Sequence, residues 1–220
     1  MSDVFDGIFG QSKVRDFLRA CVRSDRVSHA YLFTGPAGSN KTAAAFALAK
    51  AIVCEGDPCS SCEACSADTC RRIDRKSHPD VHYLAPEGAQ GYVVEQIREL
   101  VADSQLAPLA GRHKVYILDR VDSLGTSAAN AFLKTLEEPP AHAIFILATT
   151  EKHKIIPTIL SRCQIYDFNR IRVEDSVEYL RYIASEEGVA ADEESLNLIA
   201  QKADGGMRDA LSMFDKAVSF

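Results

Sequence analysis

The sequence has no apolar run long enough to cross a membrane. Runs such as 143–148 fall far short of the roughly 20 apolar residues that a membrane-spanning helix needs. The N-terminal residues Met1, Ser2 and Asp3 also lack the basic start and the apolar stretch of a secretion signal. We therefore expect a cytoplasmic protein with no membrane partner.

The chain also has no excess of positive charge. It carries 25 lysines and arginines against 31 aspartates and glutamates, which gives a net charge of -6. Because phosphate contacts need a basic surface, this balance argues against a free-standing nucleic-acid-binding domain. Any contact with DNA must come from a local patch or from partner subunits.

The histidines lack the spacing of metal ligands or of a catalytic triad, and the sequence has no internal repeat and no low-complexity linker. We interpret the histidines as structural or surface residues. The composition that remains, 46% apolar over 220 residues, is enough for one sizeable core and a second small one. The histidines are His29, His78, His82, His113, His142 and His153.

The first part of the chain alternates short apolar runs with stretches of helical periodicity. This alternation is typical of parallel β-α-β units, in which helices cover both faces of the sheet. After about Phe168 only helical patterns follow. The sequence therefore predicts an α/β domain over residues 1–167 and a small three-helix lid domain over residues 168–220. The predicted strands are 30–33, 81–84, 115–118 and 144–147, and the predicted helices are 42–53, 93–102, 127–136, 173–185, 193–203 and 207–218.

A glycine-containing loop lies between the first strand and the first helix of this pattern. In that position backbone N–H groups and the helix N-terminus point at phosphate oxygens, so we expect the loop to bind ATP. Lys41 would reach the β- and γ-phosphates, and Thr42 would bind Mg²⁺. The pattern G-x-x-x-x-G-K-[ST] has glycine where this chain has Asn40, the least costly replacement because asparagine tolerates left-handed dihedrals. A loop that merely ends a strand is the alternative interpretation. The loop residues are Gly35, Pro36, Ala37, Gly38, Ser39, Asn40, Lys41 and Thr42.

A second motif is the apolar strand 115–118, which ends in the carboxylate of Asp119. Together with the phosphate-binding loop, Asp119 is predicted to hold Mg²⁺ through water. In ATPases of this type the next residue is normally a glutamate that orients the attacking water, whereas this chain has Arg120. A guanidinium has no acceptor and cannot act as a base. Asp122 is the weaker candidate for that role.

Five of the seven cysteines lie within residues 54–70. Such clustering is typical of a metal site in a reducing compartment. The spacing C-x4-C-x2-C-x2-C fits four thiolates around a structural zinc, which would stabilise the module without taking part in catalysis. Five free thiols in one loop are the alternative. The predicted ligands are Cys54, Cys59, Cys62 and Cys65.

Several stretches resemble bacterial clamp loader subunits of DNA polymerase III, which are AAA+ proteins of the P-loop class. They are residues 28–36, the cysteine cluster, residues 130–140 (NAFLKTLEEPP) and residues 159–163 (ILSRC). The resemblance covers nearly the whole chain and includes two types of subunit. Asn40 and Arg120 favour the delta-prime type, a stator with a degraded ATP site, whereas residues 143–211 resemble the gamma/tau type, the ATPase motor.

The resemblance implies roles for individual residues. Thr149 matches the sensor that reads the γ-phosphate, with Thr150 as the near alternative. Arg162 matches an arginine finger that reaches into the site of a neighbouring subunit, and Arg208 matches a second sensor at the nucleotide.

The family's zinc module is longer between its first two cysteines than the module here, so Cys70 is the alternative ligand to Cys54. The implied partners are other clamp loader subunits, the sliding clamp and primer-template DNA in the assembled complex. Members of the family carry a collar domain after the lid. We expect that domain to be absent from a chain that ends at Phe220, and we expect this chain to be a monomer.

Three functions are compatible with these observations. The first is a ring component with an impaired ATP site that acts as a scaffold and supplies Arg162 to a neighbour. The second is an active gamma/tau-type motor ATPase. The third is a zinc-ribbon DNA-binding module with a vestigial P-loop, against which the acidic balance argues. Arg120 favours the first.

Overall fold

A computed structural model of the chain describes residues 4–54, 67–88 and 91–219. Within these residues one parallel sheet has the strand order β2-β3-β4-β1-β5. Three of its strands are buried along their whole length, which explains why they read as continuous apolar runs. The strands are β1 (Ala30–Thr34), β2 (Val81–Leu84), β3 (Lys114–Leu118), β4 (Ala143–Thr149) and β5 (Gln164–Asp167).

Helices connect the strands and then continue alone to the end of the described chain. Short 3-10 turns at Val121–Ser123 and Lys152–Lys154 follow β3 and β4. The helices are α1 (Ser12–Arg23), α2 (Lys41–Val53), α3 (Ala67–Asp74), α4 (Val94–Ser104), α5 (Thr126–Glu137), α6 (Pro157–Leu160), α7 (Val173–Glu186), α8 (Glu193–Lys202) and α9 (Met207–Val218).

The sheet separates two hydrophobic cores. Because successive side chains of a strand point to opposite faces, Tyr31 and Phe33 of β1 pack with α1, α2 and α3, whereas Leu32 packs with α4, α5 and α6. Helices α7, α8 and α9 enclose a third core around Leu180 and Phe214. The fold is therefore a three-layer α/β unit followed by a small helical unit.

The predicted fold class is confirmed, and every predicted strand and helix is present within one to two residues of its predicted bounds. The prediction missed β5, α1, α3 and the short helix α6. Strand β5 lies at the edge of the sheet and has half-buried and exposed positions, so it lacks an apolar run. Within the described ranges, no helix combines the length and apolarity needed to cross a bilayer.

Candidate functional site

Three neighbouring strands bring the predicted motifs together. β4 lies between β1 and β3 in the sheet, with Thr34 opposite Thr149 and Leu118 opposite Leu147. Since all strands are parallel, the phosphate-binding loop after β1, Asp119 after β3 and Thr149 of β4 lie at the same carboxyl edge. Ligands of open α/β sheets bind at this edge.

The phosphate-binding loop adopts the backbone that its glycine pattern requires. Asn40 has φ 67° and ψ 19°, the left-handed conformation that glycine would take, so the expectation that asparagine tolerates this position is confirmed. Its side-chain Nδ2 donates a hydrogen bond to the Phe9 carbonyl at 3.1 Å. Gly38 also has a positive φ of 75°. The replacement at Asn40 therefore leaves the turn into α2 intact.

Lys41 is buried at the start of α2, inside the curve of the loop. Its Nζ donates to the carbonyls of Gly35 at 2.8 Å and Pro36 at 2.6 Å. Burial lowers the pKa of Lys41, and the negative charges of Asp119 and Asp122 oppose that shift. Both carboxylates therefore lie close enough to act on the lysine.

Asp119 is held by neighbouring groups at the end of β3. Its Oδ1 accepts from the Arg120 amide at 3.0 Å, and its Oδ2 accepts from the Tyr83 hydroxyl at 3.1 Å. The Tyr92 hydroxyl lies 2.7 Å from the Asp119 carbonyl. Burial, and then the charge of Asp119, raises the pKa of both tyrosines, which keeps them protonated donors. Sequence reasoning missed both tyrosines because nothing in a motif marks them.

Arg120 begins a sharp turn after Asp119. Its backbone is left-handed, with φ 50° and ψ 49°, and its side chain is exposed. The turn continues as the 3-10 segment Val121–Ser123, which places Asp122 against the end of β4. The position of the expected water-orienting glutamate is therefore occupied by an exposed guanidinium.

Thr149 is 1% exposed and hydrogen-bonded on two sides. Its Oγ1 donates to Asp122 Oδ1 at 2.5 Å and accepts from the Glu151 amide at 2.9 Å. Its carbonyl accepts from the Gly35 amide at 3.3 Å, so it borders the phosphate-binding loop. Thr150, the alternative sensor, is exposed.

The helical unit reaches the phosphate-binding loop through the start of α9. The Met207 amide donates to the Gly38 carbonyl at 3.0 Å. A Cβ on Gly38 would lie 2.6 Å from the Gly206 Cα, so only glycine allows this approach. Arg208 follows directly, and its positive charge opposes the rise in the Tyr83 pKa that burial and Asp119 cause. The structure thus brings Arg208 to the same edge as Asp119.

Arg162 is placed apart from these groups, between α6 and β5. Its Nη2 donates to Glu137 Oε1 at 2.8 Å, and its Nη1 donates to the Thr158 carbonyl at 2.7 Å. Its side chain is 32% exposed. Among the described residues, its hydrogen bonds are made to α5 and α6 and to Ser161, and none reaches residues 35–42.

Gln11, which sequence reasoning did not single out, joins three segments. Its Nε2 donates to the carbonyls of Asn169 at 2.6 Å and Ser39 at 3.3 Å, and its Oε1 accepts from the Asn169 amide at 3.3 Å. Phe9, nearby in sequence, packs on Tyr179 of α7 with ring centroids 3.9 Å apart. The N-terminal segment therefore couples the loop to the helical unit.

The predicted zinc site lies only partly within the described residues, because Cys59, Cys62 and Cys65 fall outside them. Cys54 caps the end of α2, Cys70 lies in α3, and their sulfur atoms are 3.9 Å apart. Two ligands of a tetrahedral zinc with bonds near 2.3 Å would be about 3.8 Å apart. The structure has Cys54 in a disulfide bond, which differs from the four thiolates that the spacing predicts. Within residues 4–54, 67–88 and 91–219, no group of histidine, cysteine and acidic side chains is arranged to hold a metal.

The donor atoms at the carboxyl edge suit a magnesium nucleotide. The Thr42 hydroxyl, half-buried at the start of α2, and the Asp119 carboxylate are oxygen donors, which Mg²⁺ prefers. The loop amides, Lys41 and the N-terminus of α2 form a cradle of positive potential for phosphates. At position 120 the arrangement offers no base.

Two family models divide the chain between them. Residues 10–172 match the model described as "DNA polymerase III, delta subunit", and residues 176–220 match "DNA polymerase III clamp loader subunit, ATPase lid domain". The chain belongs to the clamp loader family of DNA polymerase III. The three helices α7, α8 and α9 correspond to the lid of that family.

Clamp loader subunits of the tau/gamma type resemble the whole chain. The tau subunit of Bacillus subtilis is 46% identical and that of Escherichia coli is 40% identical, each over 98% of this chain. A gamma subunit from Buchnera aphidicola is 36% identical over 98% of the chain. The chain spans 38%, 33% and 59% of the length of these relatives. The resemblance to tau and gamma thus extends well beyond residues 143–211.

Solved structures of other proteins share this fold. The Holliday junction branch migration motor RuvB of Thermotoga maritima superposes with a TM-score of 0.65 at 18% identity, covering 96% of this chain and 62% of RuvB. A gamma subunit-related protein from the same organism gives a TM-score of 0.53 at 23% identity, covering 86% and 58%. At these identities the likeness is one of fold alone.

Proposed function

We propose that this chain is the nucleotide-binding core of a clamp loader subunit that binds ATP with Mg²⁺ but hydrolyses it poorly by itself. In this proposal it acts in a ring with other clamp loader subunits, which loads the sliding clamp on primer-template DNA. In the ring the chain serves as a nucleotide-dependent scaffold and supplies Arg162 to the site of a neighbouring subunit.

The contrast between an intact phosphate-binding loop and Arg120 carries this proposal. The loop keeps its backbone at Asn40, and Lys41 and Asp119 lie at one edge of the sheet. The residue after Asp119 is an arginine whose guanidinium cannot accept a proton from water. Binding and hydrolysis depend on different groups, so one can persist without the other.

Each group has a separate task in the proposed site. Lys41 and the loop amides bind the β- and γ-phosphates, and Thr42 and Asp119 hold Mg²⁺. The bound Mg²⁺ would neutralise charge that develops on the phosphate oxygens. Tyr83 orients the Asp119 carboxylate through its hydrogen bond at 3.1 Å. Arg208 approaches from the lid as the second sensor.

Arg162 is proposed to act in the site of a neighbouring subunit. Its ion pair with Glu137 joins side chains that are 32% and 49% exposed. Exposed pairs of this kind stabilise a protein by only about 0–1 kcal/mol. The arginine can therefore exchange Glu137 for a phosphate of the neighbour at little cost.

An active motor ATPase is the second candidate. The similarity to tau subunits and the undistorted backbone at Asn40 favour it. For the zinc-ribbon DNA-binding module we find no supporting observation among the described residues, and the net charge of -6 argues against it.

Nucleotide binding and turnover distinguish the first two candidates. Isothermal titration of the chain with Mg-ATP and with a slowly hydrolysed analogue should give equal affinities, and phosphate release should remain near background. Binding with robust turnover would instead establish the motor. A chain that binds neither nucleotide would refute both.

We also propose that the cysteine cluster holds one structural zinc. The sulfur separation of 3.9 Å between Cys54 and Cys70 supports a site that includes Cys70, together with cysteines outside the described residues. Metal analysis under reducing conditions should find about one zinc per chain, and a chelator should lower the melting temperature. A metal-free protein of equal stability, with an intact disulfide at Cys54 by mass spectrometry, would contradict the zinc proposal.

A further inference from the structure

The hydroxyl of Thr149 has a single proton, and the structure commits that proton to Asp122. A threonine hydroxyl donates one hydrogen bond and accepts up to two. Here Oγ1 donates to Asp122 Oδ1 at 2.5 Å and accepts from the Glu151 amide at 2.9 Å. Phosphate oxygens only accept hydrogen bonds. Thr149 therefore cannot donate to a γ-phosphate while its bond to Asp122 persists.

Asp122 is placed for this contact by the turn that begins at Arg120. The left-handed backbone of Arg120 ends β3, and the Ser123 amide then donates to the Arg120 carbonyl at 2.9 Å, which closes the turn. Thr149 borders the phosphate-binding loop through its bond to the Gly35 amide at 3.3 Å. The competing acceptor is thus part of the site itself.

The charge of Asp122 also acts on the site. It opposes, with Asp119, the pKa shift that burial causes at Lys41, so its carboxylate lies within electrostatic reach of the lysine that would meet the phosphates. A second carboxylate near Lys41 disfavours each additional phosphate charge. Both effects weigh more heavily on ATP than on ADP, because only ATP brings a third phosphate.

We infer that Asp122 sets the preference of this site for ATP over ADP by competing with the γ-phosphate for the Thr149 hydroxyl. This inference rests on the proposed ATP binding. Asp122 acts through Thr149 and is therefore a positioning residue. In the competition model, removal of the Asp122 carboxylate releases the Thr149 hydroxyl to donate a hydrogen bond to the γ-phosphate.

A double-mutant cycle tests the competition directly. The ratio of ATP to ADP affinity is measured by titration calorimetry for the wild type, Asp122→Ala, Thr149→Val and the double variant. A hydrogen bond to a charged group corresponds to about a tenfold or greater change in affinity. The ratio of ATP affinity to ADP affinity should be higher in Asp122→Ala than in the wild type by about that factor. Thr149→Val alone should leave the ratio nearly unchanged, but in the Asp122→Ala background it should remove the part of the rise that comes from the released Thr149 hydroxyl.

Asp122→Asn separates the two effects, since asparagine keeps an acceptor for Thr149 and removes the charge. Its ratio should lie between those of the wild type and Asp122→Ala. ADP affinity and the melting temperature of each variant report whether the fold is intact.

An equal loss of ATP preference on Thr149→Val in both backgrounds would overturn the inference, as would an unchanged ratio in Asp122→Ala. Either result leaves the proposed ATP binding in place. If the wild type and Asp122→Ala both bind neither nucleotide, the proposed function fails and this inference fails with it. ATP binding by Asp122→Ala but not by the wild type would support the inference about Asp122.

Discussion

The guanidinium of Arg162 donates to Glu137 Oε1 at 2.8 Å, so the arginine that we propose to act in a neighbour's site is paired within its own chain. Both residues belong to stretches that resemble clamp loader subunits, residues 130–140 and 159–163. The pair holds the arginine at the surface in a defined position. Its release is the step that an adjacent nucleotide would have to drive.

The ion pair between Glu137 and Arg162 should therefore matter little to stability, whereas Arg162 itself should matter to the assembled ring. Glu137→Gln should alter the free energy of unfolding by less than about 1 kcal/mol, since the pair is exposed. In a reconstituted ring, Arg162→Ala should slow ATP turnover at the neighbouring site by about 10³-fold or more. Nucleotide binding by the isolated Arg162→Ala chain serves as the control and should be unchanged. If ring turnover is unaffected, Arg162 is not a finger.

Gly38 should be intolerant of a side chain because of the contact with the lid. Gly38→Ala combines a positive φ of 75° with a Cβ placed 2.6 Å from the Gly206 Cα. Gly188→Ala is a matched control, since Gly188 has φ 67° and no atom within 4 Å of its added Cβ. In Gly188→Ala the free energy of unfolding should fall by about 1 kcal/mol, because of the backbone conformation alone. In Gly38→Ala it should fall by roughly a further 1–3 kcal/mol, because the added Cβ clashes with Gly206. Equal losses in urea unfolding would show that the lid does not dock on the loop.

Asn40 should be replaceable by glycine but not by alanine. Asn40→Ala loses the hydrogen bond to the Phe9 carbonyl and keeps a side chain in a left-handed backbone. Asn40→Gly loses the same hydrogen bond but removes the strain of holding a side chain in a left-handed backbone. The alanine variant should therefore be about 1–2 kcal/mol less stable than the glycine variant in denaturant unfolding. Equal stabilities of the two variants would mean that Asn40 is not left-handed.

The core of the fold was predictable because burial on both faces of the sheet leaves a mark in the sequence. The residues of β4 are buried throughout, and their run of apolar side chains predicted the strand directly. β5 carries no such mark, since Gln164 and Asp167 are polar and the strand lies at the edge of the sheet that the described residues form. Whether an edge strand forms depends more on its pairing with the neighbouring strand than on its own amino-acid composition.

The candidate site was predictable where function requires a fixed local pattern, as at Lys41 and Asp119. The residues that orient these groups were not. Tyr83 reaches Asp119 from the adjacent strand β2, and Asp122 reaches Thr149 only through the turn at Arg120. Such contacts join residues distant in sequence, and no spacing rule records them.

The protein should lose stability at alkaline pH through its buried tyrosines. Burial is the main cause that raises the pKa of Tyr92, Tyr116 and Tyr166. A folded-state pKa above the unfolded value gives stability that is complete below about pH 10 and is lost as the pH rises further. Lys41, with a lowered pKa, contributes in the opposite direction but is a single group. Each tyrosine should reduce the free energy of unfolding by up to about 1.4 kcal/mol per pH unit above its unfolded pKa.

Urea unfolding from about pH 8 to about pH 11 measures this dependence. Tyr166→Phe is the matched variant, because it removes a hydroxyl that lies 3.9 Å from the Cys21 sulfur. Its slope above about pH 10 should be smaller than that of the wild type by the contribution of one group. A constant stability across the whole range would show that these hydroxyls ionise freely in the folded state.

The central claim, that Arg120 limits hydrolysis at a site still able to bind ATP, is tested most directly by phosphate release from Arg120→Glu. A correctly placed base contributes about 10²-fold or more to the rate, so this variant should turn over ATP at least that much faster than the wild type. Arg120→Gln, which removes the guanidinium without adding a base, should remain as slow as the wild type, and all three proteins should bind Mg-ATP. Rapid turnover by the wild type, or an Arg120→Glu variant that binds ATP and hydrolyses it no faster than Arg120→Gln, would contradict the account.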